Sequence, residues 1–297
     1  MRDRATILAD IAARRAMLRL IHGRSPRRRR IPRQLQPDGI RLSYFRALLD
    51  VLASARALLS RSVPRLAQLV DRSHAARLDS AYLDAEGDGD DVNGIIDGLA
   101  DQFFREFTNT RLAELAEAVA RQTSTFSRQQ VARQFQAGLG IDVLRAEPWL
   151  EQKVQAFTAD NVALIKSIPQ RYFTDVEKKI VTSMREGLRW EEIAKDLDDR
   201  FEVAEGHAQL VARDQVGKFM GELNQARQQE LGVEKFIWRT AHDNRVRESH
   251  QELEGQVCSW DDPPEVDGEP SIPGEPINCR CQAEPVLTEL FDALEAA

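Results

Sequence analysis

Phe236-Ile237-Trp238-Arg239-Thr240-Ala241-His242-Asp243-Asn244-Arg245-Val246-Arg247-Glu248-Ser249-His250 opens the stretch whose reading decides the fold, and Asn278-Cys279-Arg280-Cys281 closes it. Residues 236–240 have the composition and length of a strand. Asp243 then reads as the N-cap of a helix over 244–254, with Gly255 at its C-terminal stop. On that helix Val246, His250 and Leu253 stand at i, i+4 and i+7, which turns His250 inward with its apolar neighbours. Arg245 and Arg247 turn elsewhere, to solvent or carboxylates.

All three cysteines of the chain, Cys258, Cys279 and Cys281, lie in this stretch. An inward His250 near Cys279 and Cys281, with Cys258 or His242 as fourth ligand, is a candidate structural zinc site, because zinc takes mixed sulfur and nitrogen ligands in a tetrahedron. Structural sites more often leave about two to four residues between paired cysteines. A strand over 279–281 would nevertheless put both thiols on one face. The competing reading is a buried histidine bonded to backbone, with the thiols packed as small hydrophobes. Residues 263–276 are too rich in proline and glycine for a helix or a central strand. This loop is expected to pack over Trp238 and Trp260 and hold the closing cysteine pair in place.

In order, Trp238-Arg239-Thr240, Asp243-x-Arg245-Val246-Arg247-x-x-His250, Leu253-x-Gly255, Pro273-Gly274 and Asn278-Cys279-Arg280-Cys281 resemble the C-terminal module of the phage Mu F-like head morphogenesis (minor capsid) family. Upstream, Ile193-Ala194, Ala212-Arg213-Asp214-Gln215, Asn224-x-x-Arg227 and Gly232 are similar to the helical lead-in of that family. The resemblance runs over roughly residues 184–283. It implies a minor head protein of a tailed phage, present in low copy and acting in head assembly. The implied partners are the portal protein and a major capsid or scaffolding protein. The implied location is the capsid interior near the portal, with the host cytoplasm during assembly. Trp238, Asp243, Arg245, Arg247 and Gly255 are expected to build the module rather than to react.

The chain has 297 residues, 42% hydrophobic and 30% charged, which is enough for more than one core and too apolar for a disordered chain. No apolar run approaches the roughly 18 residues of a membrane span. Arg14 and Arg15 interrupt the region a signal peptide would need to be apolar, so secretion is not expected. Three clustered cysteines do not make a disulfide framework, and a reducing compartment is the default. Charge is polarised. Residues 1–37 carry roughly +9 and the remainder about −16, against a whole-chain −7.

Residues 3–22 read as an amphipathic helix with Ile7, Leu8, Ile11, Leu18 and Ile21 on one side. An extended basic arm follows. Arg24, Arg27, Arg28, Arg29, Arg30 and Arg33 are its candidate contacts to packaged double-stranded DNA, without sequence preference, or to an acidic protein face. Residues 40–62 form a second helix by their spacing, and Pro64 is placed to open a third. Asp84 to Gly94 reads as an acidic, glycine-rich linker. It is not a calcium loop, since aligning Gly94 with the obligatory glycine leaves Gly89 and Ala100 at positions that need carboxylates. Beyond it the spacing predicts helices through Phe103 and Phe107, through Leu112 and Val119, and a shorter one through Val131 and Phe135. Further helices open at Pro148 and Pro169, the last capped near Gly187. Residues 187–205 start like a helix-turn-helix. The acidic residues that follow would repel phosphate, so a packed helical hairpin is expected, then a long helix over 205–230.

The fold class that results is mainly α, with N-terminal and central helical bundles and a small α+β C-terminal module. Its expected segments are 1–37 (basic helix and arm), 38–83 (helical hairpin), 84–94 (linker), 95–187 (central bundle) and 188–297 (C-terminal module). No Gly-rich phosphate loop, Gly-x-Ser-x-Gly or His-Glu-x-x-His occurs, and no enzyme is expected. The alternatives are a zinc-dependent or DNA-processing hydrolase using the module, and a DNA-binding regulator using the arm.

Overall fold

The computed structural model describes residues 4–22, 30–78, 85–141, 144, 146–288 and 290–292. Helices dominate: α1 (Arg4–His22), α2 (Asp38–Leu78), α3 (Ala85–Glu106), α4 (Asn109–Leu139), α5 (Leu150–Glu186) and α6 (Trp190–Glu230). A short mixed region follows, with β1 (Lys235–Arg239), α7 (Glu248–Gln251), β2 (Val257–Ser259), β3 (Glu265–Val266), β4 (Glu269–Pro270) and β5 (Gln282–Pro285). The protein is thus mainly α with a small α+β module at its C-terminal end.

The helices are fewer and longer than their local punctuation suggests. Pro64 lies inside α2 and Pro169 inside α5, where each was expected to open a new helix. An internal proline removes a backbone hydrogen bond and crowds the carbonyl one turn earlier, at a cost of about 3 kcal/mol. Buried side chains on both sides of each proline offset it: Leu59 and Leu66 in α2, Ile165, Ile168, Phe173 and Val176 in α5. Likewise α4 runs unbroken through Val119 to Phe135, and α6 replaces the expected hairpin with one continuous helix. Residues 85–94 of the expected linker belong to α3, whose Val92 and Ile96 are buried.

The chain divides into two compact units, each built from separated segments. Met1–Arg41, Val119–Val154 and Arg213–Ala297 form the terminal unit, and Leu42–Ala118 with Gln155–Ala212 form the middle unit. This division cuts across the segments expected from sequence. In the middle unit Phe103 stacks on Phe107 at 4.5 Å and meets Phe173 edge-on at 6.0 Å. Tyr44 donates to Asn161 Oδ1 at 2.8 Å inside the same core, which satisfies both buried polar groups. His74 Nδ1 lies 2.7 Å from the carbonyl of Gly187, whose φ of 77° ends α5 as expected.

The terminal unit has two cores. One gathers Ile7 and Ile11 of α1, Val131, Phe135 and Leu139 of α4, and Leu231, Val233, Leu287 and Leu290. Ile21, expected on the same face of α1, is exposed. The other core lies under the small sheet, where Phe236 and Trp238 of β1 are joined by Cys258, Trp260, Val266, Ile272, Cys279, Cys281 and Ala283. The strand order is β2-β1-β5, all antiparallel, with Phe236 opposite Cys258 and Trp238 opposite Ala283. Val266 and Ile272 bring the proline-rich loop onto the Trp238 and Trp260 face, as the sequence suggested. A second anchor was not foreseen. The loop also lies directly against α6, so that a Cβ on Gly221 would meet the Pro273 carbonyl at 2.6 Å.

Candidate functional site

The site grows out of β1. Trp238 is fully buried, and the ring of His250 stands edge-on to it with centroids 5.8 Å apart. His250 comes from α7, one turn long, with Arg247 at its N-cap. The longer helix expected over 244–254, capped by Asp243, does not form. Asp243 has other work: Oδ1 accepts from the backbone N–H of Arg245 at 3.0 Å, and both carboxylate oxygens take the Arg280 fork at 2.5 Å. A charged two-point pair between distant segments outweighs a cap on a short, exposed helix.

His250 is only 3% exposed. Its Nδ1 lies 3.3 Å from Cys281 Sγ and 3.6 Å from Cys279 Sγ. The candidate ligand atoms of these three residues all fall within 4.8 Å of one another. Cys279 Sγ also accepts from the backbone N–H groups of Gly274 and Cys281, each at 3.4 Å. A hydrogen bond from the Cys281 thiol, then contacts from His250 and those two amides, hold the Cys279 thiol well below the usual range. The same charge, with burial, pushes Cys281 up. One thiolate shared over two sulfurs is the arrangement this geometry favours.

Neither expected fourth ligand joins the cluster. Cys258 sits opposite Phe236 on β2, outside the group, and burial raises its thiol. His242, at a positive φ of 55°, is half exposed and faces Glu254 Oε1 at 3.3 Å and the Arg33 guanidinium. The cysteines lie just ahead of β5 rather than in a strand, so the loop and not pleat alternation brings the thiols together.

Charged pairs fasten the segments around this cluster. Arg239 forks onto Glu284 at 3.0 and 3.1 Å, and Glu254 accepts from the backbone N–H of Thr240 at 2.6 Å. Arg247 donates to Asp267 at 3.2 Å and to the carbonyl of Ile277 at 2.8 Å. Arg245 is exposed and faces Asp243 at 3.6 Å. Gly255, at φ 80°, donates its N–H to the Trp238 carbonyl at 2.8 Å, so it closes a turn onto β1 rather than a helix. Gly274 needs its φ of 100° and lies so close to Gly217 that an added Cβ would come within 2.9 Å of that carbonyl.

Of the expected basic contacts, Arg24, Arg27, Arg28 and Arg29 lie outside the described residues. Arg30 is exposed, and Arg33 is engaged with Glu254 at 3.5 Å as well as His242. The segment from Ile31 to Pro37 is a docked strap rather than a free arm. Gln34 donates to Gln134 at 2.9 Å and accepts from Asn224 at 2.8 Å, while Gln36 donates to the Arg280 carbonyl at 2.9 Å. Beside it, Arg227 is 1% exposed and forks onto Glu147 at 2.8 Å through both nitrogens, with Ser127 and Ser124 at 2.6 and 2.9 Å. Burial raises the Glu147 carboxyl, but Arg227 and then Arg128 outweigh it and hold it below the ordinary carboxylate range. Sequence reading missed Arg280, Glu254, Asp267 and the strap as partners. Only Arg280, inside the quoted Asn278-Cys279-Arg280-Cys281, stood in view.

Residues 174–284 match the family model described as Phage Mu protein F like protein. A Haemophilus influenzae protein carrying only the description "Uncharacterized protein" is 39% identical over 151 residues, 50% of this chain and 33% of that one. An Enterococcus faecalis NAD(+)--arginine ADP-ribosyltransferase, EFV, is 28% identical over 118 residues, 36% of this chain and 24% of that one. The chain therefore matches a third or less of the length of these relatives. No solved structure matches it.

Proposed function

We propose, from the premise that residues 174–284 are a segment of the Phage Mu protein F like family, that this chain is a minor head protein of a tailed bacteriophage. In this reading it acts in head morphogenesis, associated with the portal and the capsid interior. The observation that carries it is the coincidence of the family segment with a fastened module. Arg239–Glu284 ties β1 to β5 within the sheet, and Asp243–Arg280 and Arg247–Asp267 pin the loops beside it, which suits a rigid docking element. His250, Cys279 and Cys281 are all buried, which gives a substrate little access to this cluster. Among the described residues no helix is long and apolar enough to cross a membrane.

Partners in this reading are the portal protein and a major capsid or scaffolding protein. Packaged double-stranded DNA is a further partner, contacted through Arg24 and Arg27 to Arg30 rather than through Arg33. Heads purified from an induced lysate should contain the chain, and a tagged copy should co-purify with portal protein. Its absence from both heads and their precursors would overturn the reading. The transferase relative raises an enzymatic alternative, but the shared stretch is 24% of that protein. Labelled NAD incubated with the purified chain and arginine-rich acceptors should leave no label. Transfer of label would favour that alternative.

A further inference from the structure

We infer that His250, Cys279 and Cys281 bind a divalent zinc ion through Nδ1 and the two sulfurs, with a fourth ligand from outside these three side chains. This stands whether or not the chain joins a phage head. Three independent features point to it. First, the spacing fits. Zinc–sulfur and zinc–nitrogen bonds of about 2.3 and 2.0 Å, set tetrahedrally, separate the nitrogen from each sulfur by about 3.5 Å. The observed separations of 3.3 and 3.6 Å bracket that value.

Second, one of the sulfurs is prepared as an anion. Backbone amides of Gly274 and Cys281 both donate to Cys279 Sγ, a pattern that stabilises thiolate and not thiol. A buried anion needs a counter-charge. Arg280, the cation adjacent in sequence to both cysteines, spends its guanidinium on Asp243 instead. Two thiolates and a neutral imidazole around a dication leave the cluster uncharged. Binding releases the one remaining thiol proton to solvent, and no electron transfer is involved.

Third, the imidazole is aimed. His250 is buried, and its Nε2 has no hydrogen-bond partner among the described residues. Nδ1, the nitrogen turned toward the sulfurs, is therefore the one placed to ligate. Trp238 stands edge-on beside the ring with centroids 5.8 Å apart.

The test uses the full chain, purified reduced and dialysed against metal-free buffer. Elemental analysis should find close to stoichiometric zinc. Cobalt added after zinc removal should give the thiolate-to-cobalt charge-transfer absorption of a tetrahedral site. Cys281→Ser should lose both signals and Cys258→Ser should keep both. Because Cys281→Ser could also disturb folding, the wild-type chain supplies a second readout. A strong chelator should lower its thermal midpoint and open Cys279 and Cys281 to alkylation, and added zinc should reverse both effects. A reduced, folded chain with neither stoichiometric zinc nor the cobalt band would overturn the inference. So would loss of metal in Cys258→Ser as complete as in Cys281→Ser.

Discussion

Arg227 carries a positive charge into a buried position, and the carboxylate of Glu147 meets it there. Removing one member of such a buried pair strands the other, at a typical cost of about 3–5 kcal/mol. Arg227→Ala should lower unfolding free energy by about that amount in urea titrations. Arg227→Met combined with Glu147→Leu should recover most of it, because neither charge is then buried alone. Asp243 is the contrasting case at the surface. Its hydrogen bonds from Arg280, helped by the Arg245 amide, pull the carboxyl down to about 2. The folded value lies below the unfolded one of about 3.9, so the pair contributes stability above that pH and loses it as pH falls toward 2. Asp243→Asn should therefore destabilise at neutral pH, and thermal midpoints of variant and wild type should converge between about pH 4 and pH 2. Solvent screening keeps this effect smaller than that of Arg227, since Asp243 is about a third exposed.

Helix α6 offers an internal comparison between two of its glycines. At Gly221 an added Cβ would stand 2.6 Å from a backbone carbonyl of the loop, which cannot rotate away, whereas at Gly206 it would meet nothing within 4 Å. Gly221→Ala should displace the loop and cost about 1–3 kcal/mol. Gly206→Ala should be neutral or stabilise by up to about 1 kcal/mol through helix propensity alone. Equal effects of the two changes on the thermal midpoint would show that the loop does not depend on this close approach. The same helix shows what the sequence made legible. Its buried face, Ala208, Val211, Val216, Phe219 and Leu223, followed from spacing, as did the glycine stop at Gly232. Its length did not follow, because 198–205 reads locally as a break while Ala204 and Ala208 are packed. Prolines misled for the same reason: local penalties of a few kcal/mol yield to burial that only tertiary contact supplies. His250 turned inward as its position relative to Val246 and Leu253 suggested, although the helix behind that argument is only one turn long. Partners such as Asp243 and Arg280 are 37 residues apart, and no local period encodes that pairing.

The terminal unit closes on itself from three distant parts of the chain, and this bears on what the segment matched by the family model can do alone. Residues 174–284 contain Asn224, Arg227, β1 and the zinc ligands proposed above, yet their buried partners lie elsewhere. Arg227 needs Glu147, Ser127 and Ser124, and Asn224 needs Gln34 and Ser127. Leu231 and Val233 pack with Ile7, Ile11 and Phe135, which the segment also lacks. A fragment of 174–284 should therefore retain helix by circular dichroism but lose the sharp urea transition of the intact chain. Deleting residues 1–37 should unfold part of the terminal unit, because Gln34 and Gln36 leave with the basic residues. That truncation thus cannot isolate a role for charge in binding DNA. Changing Arg27 to Arg30 to Gln while keeping the strap separates the two. Stability should stay near wild type, and the salt dependence of any DNA affinity should flatten by about 3–4 in logarithmic slope if all four meet phosphate. A fragment of 174–284 that unfolds as cooperatively as the whole chain would show that the strap and α4 are dispensable to the module. An Arg27 to Arg30 variant with unchanged salt dependence would move the DNA contact off the arm.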